Sequence, residues 1–291
     1  MFDPSTADPE TTWSDLPPLT HELLVSHLDA LDIRALAATC RAMRSLMLSP
    51  ALQAAWLWKH KGDMAIWVAL RCCTDAALRL SVLRLLVEVH HVDVGVESSG
   101  LSVLHWACAG GHVDLVSYLS MQPNIQINVA MSVTELSPLH FACCKGHVDV
   151  VQQLLSHTDI QVNLADQFGV TPLIGACKRG HVDVVRQLLN RTDIQVNLAT
   201  QGGVTPLFLA CMKGRVDLVR QLLSHTDIQV NLARQDGWTP LIGACHEGHV
   251  DVVRQLLSHT GIQVNLGSMT PLQMAYSRGH ADVVHLFRSD Q

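Results

Sequence analysis

From Leu101 onward the apolar positions come in paired short runs. Leu173, Ile174, Ala176 and Cys177 fall on one face of a short helix, and Val185, Leu188 and Leu189 on one face of a second. Thr171 and Pro172 stand where a helix takes its cap and its first residue, and Gly180 lets the chain turn between the two runs. Thr192–Leu198 then alternates apolar and polar residues up to Gly202–Gly203, which predicts an extended, hairpin-like finger. Neither helix is long enough to stand alone, so a neighbouring unit must cover its apolar stripe.

Such neighbours recur along the chain. His112, His147, His181, Arg215, His249 and His280 mark one position at intervals of 35, 34, 34, 34 and 31 residues. Leu104, Leu139, Leu173, Leu207, Leu241 and Leu272 mark another at the same intervals. A period of this length means stacked supersecondary units rather than one compact core.

The units resemble ankyrin repeats. Pro138, Leu139, His140, Ala142, Gly146 and His147 occupy the family's marked places most fully. Ile174, Phe208, Ile242 and Gln273 replace the first histidine in later units, which removes hydrogen bonds that the family pattern supplies there. The resemblance implies an all-α solenoid of helix-turn-helix units with hairpin or loop fingers. Six repeats are expected over residues 99–291, the last shortened, after a degenerate first unit over 64–98 with Leu78–Leu86 as second helix and Val92–Val94 as trailing strand.

Residues 1–60 lack this period. A flexible arm is expected over 1–15, and a small three-helix domain over 16–60. Leu23, Leu24, His27 and Leu28 line a first helix; Ile33, Leu36, Ala37, Cys40 and Met43 line a second; Pro50 begins a third. Glu22–Leu23–Leu24, Asp32–Ile33, Cys40–Arg41 and Pro50 follow in the order of an F-box, which this segment resembles, although Thr20 stands where that pattern has proline. The resemblance implies docking to the small adaptor subunit of a cullin-based ubiquitin ligase. The implied contacts are Leu16, Pro17, Leu23, Leu24, Leu28, Ile33, Leu36 and Arg41, some of which instead form the domain's own core. A plain helical cap on the solenoid is the alternative.

Composition narrows the function classes. Charged residues are only 16% and hydrophobic ones 48%, which argues against a mainly disordered chain. The net charge of −6, and 12 basic against 14 acidic residues from Ser99 on, give no general attraction to nucleic acid or membrane. Nine cysteines, with Cys72–Cys73 and Cys143–Cys144 adjacent, do not read as an extracellular disulfide framework. No basic start and apolar run marks a leader, so the expected location is cytoplasmic and/or nuclear.

Cys108, Cys143, Cys177, Cys211 and Cys245 recur once per unit and read as small core residues, because sulfurs a repeat apart cannot share one metal ion. No phosphate loop, dinucleotide fingerprint or nucleophile–base motif is present, so neither catalysis nor a cofactor is expected. The unit frames are near copies, whereas finger tips and first-helix ends vary. The candidate target-binding residues are therefore Phe168, Lys178, Arg179, Met212, Lys213, Arg234, Asp236, Trp238 and His246, with aromatic and arginine side chains as anchors. The alternative for Trp238 is a cover for the adjacent repeat edge. The expected function is a non-catalytic substrate receptor of a cullin-based, SCF-type ligase, monomeric outside its complex, with the adaptor and a target protein as partners. The alternative is an interaction scaffold with no ubiquitin role.

Overall fold

A computed structural model describes residues 50–61, 65–72, 75–95, 97–98, 100–266 and 269–289. Regular structure among them is helical, apart from the two-residue strands Glu97–Ser98 and Leu101–Ser102. No helix among the described residues is long and apolar enough to cross a membrane. The chain falls into two compact units, Met1–Ser99 and Gly100–Gln291.

In the first unit, α1 (Pro50–Lys61), α2 (Ala65–Cys72) and α3 (Ala76–Glu88) pack on one another. The Asp75 carboxylate caps α3 by accepting the Leu78 N–H at 2.7 Å. Leu57, Ile66, Leu70, Val82, Leu83 and Leu86 are buried there. Val92 and Val94 are buried too, yet the stretch expected as a strand is not one. The Val92 N–H donates to the Leu86 carbonyl at 3.0 Å, so the chain folds back on the helix end instead of offering an edge.

Among the described residues the second unit is six helix pairs. They are α4 (Val103–Gly110) with α5 (Val113–Ser120), α6 (Pro138–Lys145) with α7 (Val148–Leu155), and α8 (Pro172–Arg179) with α9 (Val182–Leu189). There follow α10 (Pro206–Met212) with α11 (Val216–Leu223), α12 (Pro240–Glu247) with α13 (Val250–Leu257), and α14 (Pro271–Ser277) with α15 (Ala281–Ser289). First helices pack on the first helices before and after them, and second helices on second helices, which makes two layers. The core runs between these layers as a repeated set. Leu154, Leu188, Leu222 and Leu256 are each fully buried, and each contributes about 1.5–3 kcal/mol.

Local chemistry sets the helix ends. Ser102, Ser137, Thr171, Thr205, Thr239 and Thr270 each cap a first helix by accepting the N–H three residues on. Gly180 ends α8 at φ 85°, a left-handed conformation that a side chain disfavours. Ser156 closes α7 by donating its hydroxyl to the Gln153 carbonyl at 2.7 Å. The fingers are hairpin-like but too short to count as strands. One bond closes each mouth: Asp166 N–H to Val170 O, Thr200 N–H to Val204 O, and Arg234 N–H to Trp238 O. The alternation over Thr192–Leu198 is real, since Ile194 and Val196 are buried and Gln195 is exposed. Its backbone, however, makes successive turns.

Candidate functional site

Three sets of side-chain rungs hold the repeats at fixed spacing. His147, His181, His249 and His280 each donate Nε2–H to a carbonyl at the end of the preceding first helix: Ala109, Cys144, Met212 and His246, at 3.1, 3.1, 3.3 and 2.9 Å. Those carbonyls would otherwise lack an intrahelical partner. The second set was not foreseen from the sequence. Asn128, Asn163, Asn197 and Asn231 each donate Nδ2–H to a backbone carbonyl of the next repeat at 2.6–2.7 Å. Their Oδ1 atoms accept the N–H of Gln161, Gln195, Gln229 and Gln263 at 2.8–2.9 Å. The usable signal was an asparagine kept at one phase of the period. At the finger tips, Gln201 and Gln235 donate Nε2–H to the Gln167 and Gln201 carbonyls.

The first-helix histidines are positioned differently. His140 Nδ1 accepts the Ser137 N–H at 3.2 Å, and its Nε2 donates to the Val170 carbonyl of the next finger at 2.7 Å. Desolvation holds the imidazole below its ordinary pKa, although the Val170 bond and Asp166 oppose this. Ile174, Phe208 and Ile242 fill the equivalent places with buried apolar groups that cannot make this bridge. Gln273 keeps part of it, its Oε1 accepting the Thr270 N–H at 3.2 Å.

Four of the candidate binding residues come together. The Arg234 guanidinium lies over the Phe208 ring at 5.3 Å and the Trp238 ring at 5.8 Å. It also pairs with Asp236, Nε to Oδ1 at 3.2 Å. Partial burial pushes the Asp236 carboxyl up, but the bonds from Arg234 and the Trp238 N–H outweigh it and leave the group below its ordinary value. Trp238 packs on His246 with ring centroids 4.9 Å apart, and His246 Nδ1 meets Glu247 Oε1 at 2.9 Å. Trp238 is half-buried, so it serves both as cover and as surface. Met212 is half-buried with its sulfur over Gly243, where a side chain would collide with it.

The other candidates stand apart from this cluster. Phe168 is 60% exposed at a finger tip, and its carbonyl accepts the Gln201 N–H at 2.9 Å. Lys178, Arg179 and Lys213 are exposed at first-helix ends. Leu16, Pro17, Leu23, Leu24, Leu28, Ile33, Leu36 and Arg41 lie outside the described residues.

The cysteine ladder is fully buried. Burial pushes the Cys177 and Cys245 thiols up to about 12 and raises Cys108, Cys143 and Cys211 as well, so these groups stay protonated. Among the described residues no cluster of three or more His, Cys, Asp or Glu is placed to hold a metal ion. The geometry suits recognition: rigid rungs beneath and dissimilar side chains above.

Comparison with known proteins agrees with this arrangement. The family model of ankyrin repeats matches residues 72–166, 139–233 and 226–290, and that of the F-box domain matches residues 13–53. Both families are generally non-catalytic. Osteoclast-stimulating factor 1 of Sus scrofa is 50% identical over 34 residues, 12% of this chain and 16% of that protein. The Xenopus laevis protein of that name is 43% identical over 56 residues, 19% and 26% of the two chains. The chain thus spans a minor part of these relatives. The crystal structure of the human ASB11 ankyrin repeat domain is similar at a TM-score of 0.54 and 30% identity, covering 65% of this chain and 83% of that one. This chain belongs to the ankyrin-repeat family and carries an F-box domain ahead of its repeats.

Proposed function

We propose that the protein is a non-catalytic substrate receptor of a cullin-based, SCF-type ubiquitin ligase. The observation that carries this reading is the order of parts: an F-box match at 13–53 precedes a repeat array whose variable side chains share a rigid frame. The proposed partition is an arm at 1–15, the F-box at 16–60, a worn first repeat at 64–98 and six repeats over 99–291. Leu16, Pro17, Leu23, Leu24, Leu28, Ile33, Leu36 and Arg41 serve the adaptor side. The Arg234–Trp238–His246 cluster with Asp236, together with Met212, Phe168, Lys178, Arg179 and Lys213, serves the target side.

The mechanism is proximity. Holding a target near a ubiquitin-charged enzyme raises the effective concentration of its lysines without any reacting group on this chain. The test is binding of purified adaptor subunit to the full chain, wild type and Leu23→Asp/Leu24→Asp. Wild type binds and the variant does not. Failure of folded wild type to bind ends the ligase reading and leaves an interaction scaffold.

A further inference from the structure

Over residues 137–259 the exposed cations fall into two groups. On the second helices, Arg186, Arg220 and Arg254 reach back to Asp183, Asp217 and Asp251 at 2.6, 3.0 and 2.7 Å, so each charge is answered on its own helix. At the first-helix ends, Lys145, Lys178, Arg179 and Lys213 are exposed and have no ion pair among the described residues. Arg215, likewise exposed and without an ion pair, lies against Gly180 and therefore beside Arg179. Within the segments 137–147, 171–181 and 205–215 there is no acidic residue. Among the described residues, three successive repeats thus carry five positive charges outside any ion pair in one column. The column changes character at the next repeat, where His246 and Glu247 bond each other.

Three of these charges also act on one half-buried side chain. Burial raises the Cys144 thiol, and Arg179 and Lys178, from the next repeat, pull it down; Asp166 pushes it up again, and Lys145 pulls it down less strongly. Their field is therefore felt across the gap between first helices, where Cys144 faces Gly175.

We infer that the first-helix ends from Lys145 to Arg215 form a docking track for an extended acidic segment of the target protein. Stacked helices are about 10 Å apart and an extended chain rises about 3.3 Å per residue, so carboxylates at about every third residue meet one repeat each. Beside Lys213 the track reaches Met212 and the Trp238–His246 pair, where an apolar residue after the last carboxylate completes the match. Asp166 lies near enough to act on Cys144 and Glu247 follows His246 at the end of the column, so the positive run is short and a continuous polyanion such as a nucleic acid meets carboxylates beside it. This inference rests on the repeats being the target-binding part of the proposed receptor.

The experiment uses the full chain and a fluorescent synthetic peptide with aspartate at every third position and a terminal leucine, read by anisotropy. Wild type binds, and added salt weakens the complex. Lys178→Glu/Lys213→Glu weakens it about tenfold or more, whereas Arg220→Glu on the second helix changes it by less than about twofold. Thermal melting of each variant, and a Lys178→Gln/Lys213→Gln pair expected to lose affinity without charge reversal, separate binding from folding. Absence of peptide binding, an equal loss in Arg220→Glu, or equal displacement by a single-stranded oligonucleotide overturns the inference. Adaptor binding is measured on the same preparations. Adaptor bound without peptide refutes the track alone; peptide bound without adaptor supports the track and refutes the ligase reading.

Discussion

The repeat beginning at Ser137 and the one beginning at Thr205 share a backbone frame but hold it with different chemistry. In the first, His140 links its own cap to the next finger through the Val170 carbonyl. In the second, Phe208 is buried at the same place, and the next finger approaches through Arg234 lying over that ring. In the Ser137 repeat, where the histidine is kept, the connection is made by a buried side chain. In the Thr205 repeat, where Phe208 replaces it, the connection carries a guanidinium, an indole and a carboxylate. The Asn rungs run through both repeats, and His181 and His249 of the following repeats hold the ends of the two repeats' first helices, which explains how the histidine is lost without loss of register. Redundant rungs leave the position three residues after the cap free to change.

Perturbing what the two repeats share has the largest expected effect. Leu188→Ala opens a cavity in the continuous core and costs about 2–5 kcal/mol, read by urea unfolding. A loss below 1 kcal/mol there would mean the layers do not interdigitate. Asn197→Ala removes two bonds between repeats and costs about 1–2 kcal/mol, a smaller figure because the group is half-exposed.

The difference between the repeats has its own test. His140→Ile, which imitates the later repeats, costs about 1 kcal/mol at neutral pH. It also alters the pH dependence. Burial lowers the His140 pKa in the folded state, so the unfolded chain binds its proton first. Stability from this site therefore falls as pH drops below the ordinary histidine value of about 6.5. The variant has a flatter stability profile between pH 7.5 and 5.5; an unchanged slope would place the acid sensitivity elsewhere. Smallest of all, Arg186→Ala breaks an exposed pair and changes stability by less than about 0.5 kcal/mol.

Much of the frame was legible in the sequence because period and local chemistry agree there. Thr171, Pro172 and Gly180 each mark a helix end, and the leucine and histidine positions count the repeats. The Val92–Val94 stretch was misread because burial alone does not make a strand; its backbone N–H is taken by Leu86. The Asn rungs were missed because each side chain bonds a residue 30 to 33 positions away, and no local pattern announces such a partner. At the candidate site, residue type pointed to Arg234, Trp238 and His246, but only geometry joins them and adds Phe208. That residue looked in the sequence like a mere departure from histidine.

The most direct measurement of the central claim is quantitative affinity capture from cells with mass identification. It compares wild type, Leu23→Asp/Leu24→Asp and Trp238→Ala/Lys178→Glu/Lys213→Glu. The expected result is separable loss: the first variant loses the adaptor and cullin but keeps the target proteins, and the second keeps the ligase core but loses those targets. Capture of targets by wild type with no ligase component, or loss of both partner sets in each folded variant, would contradict it.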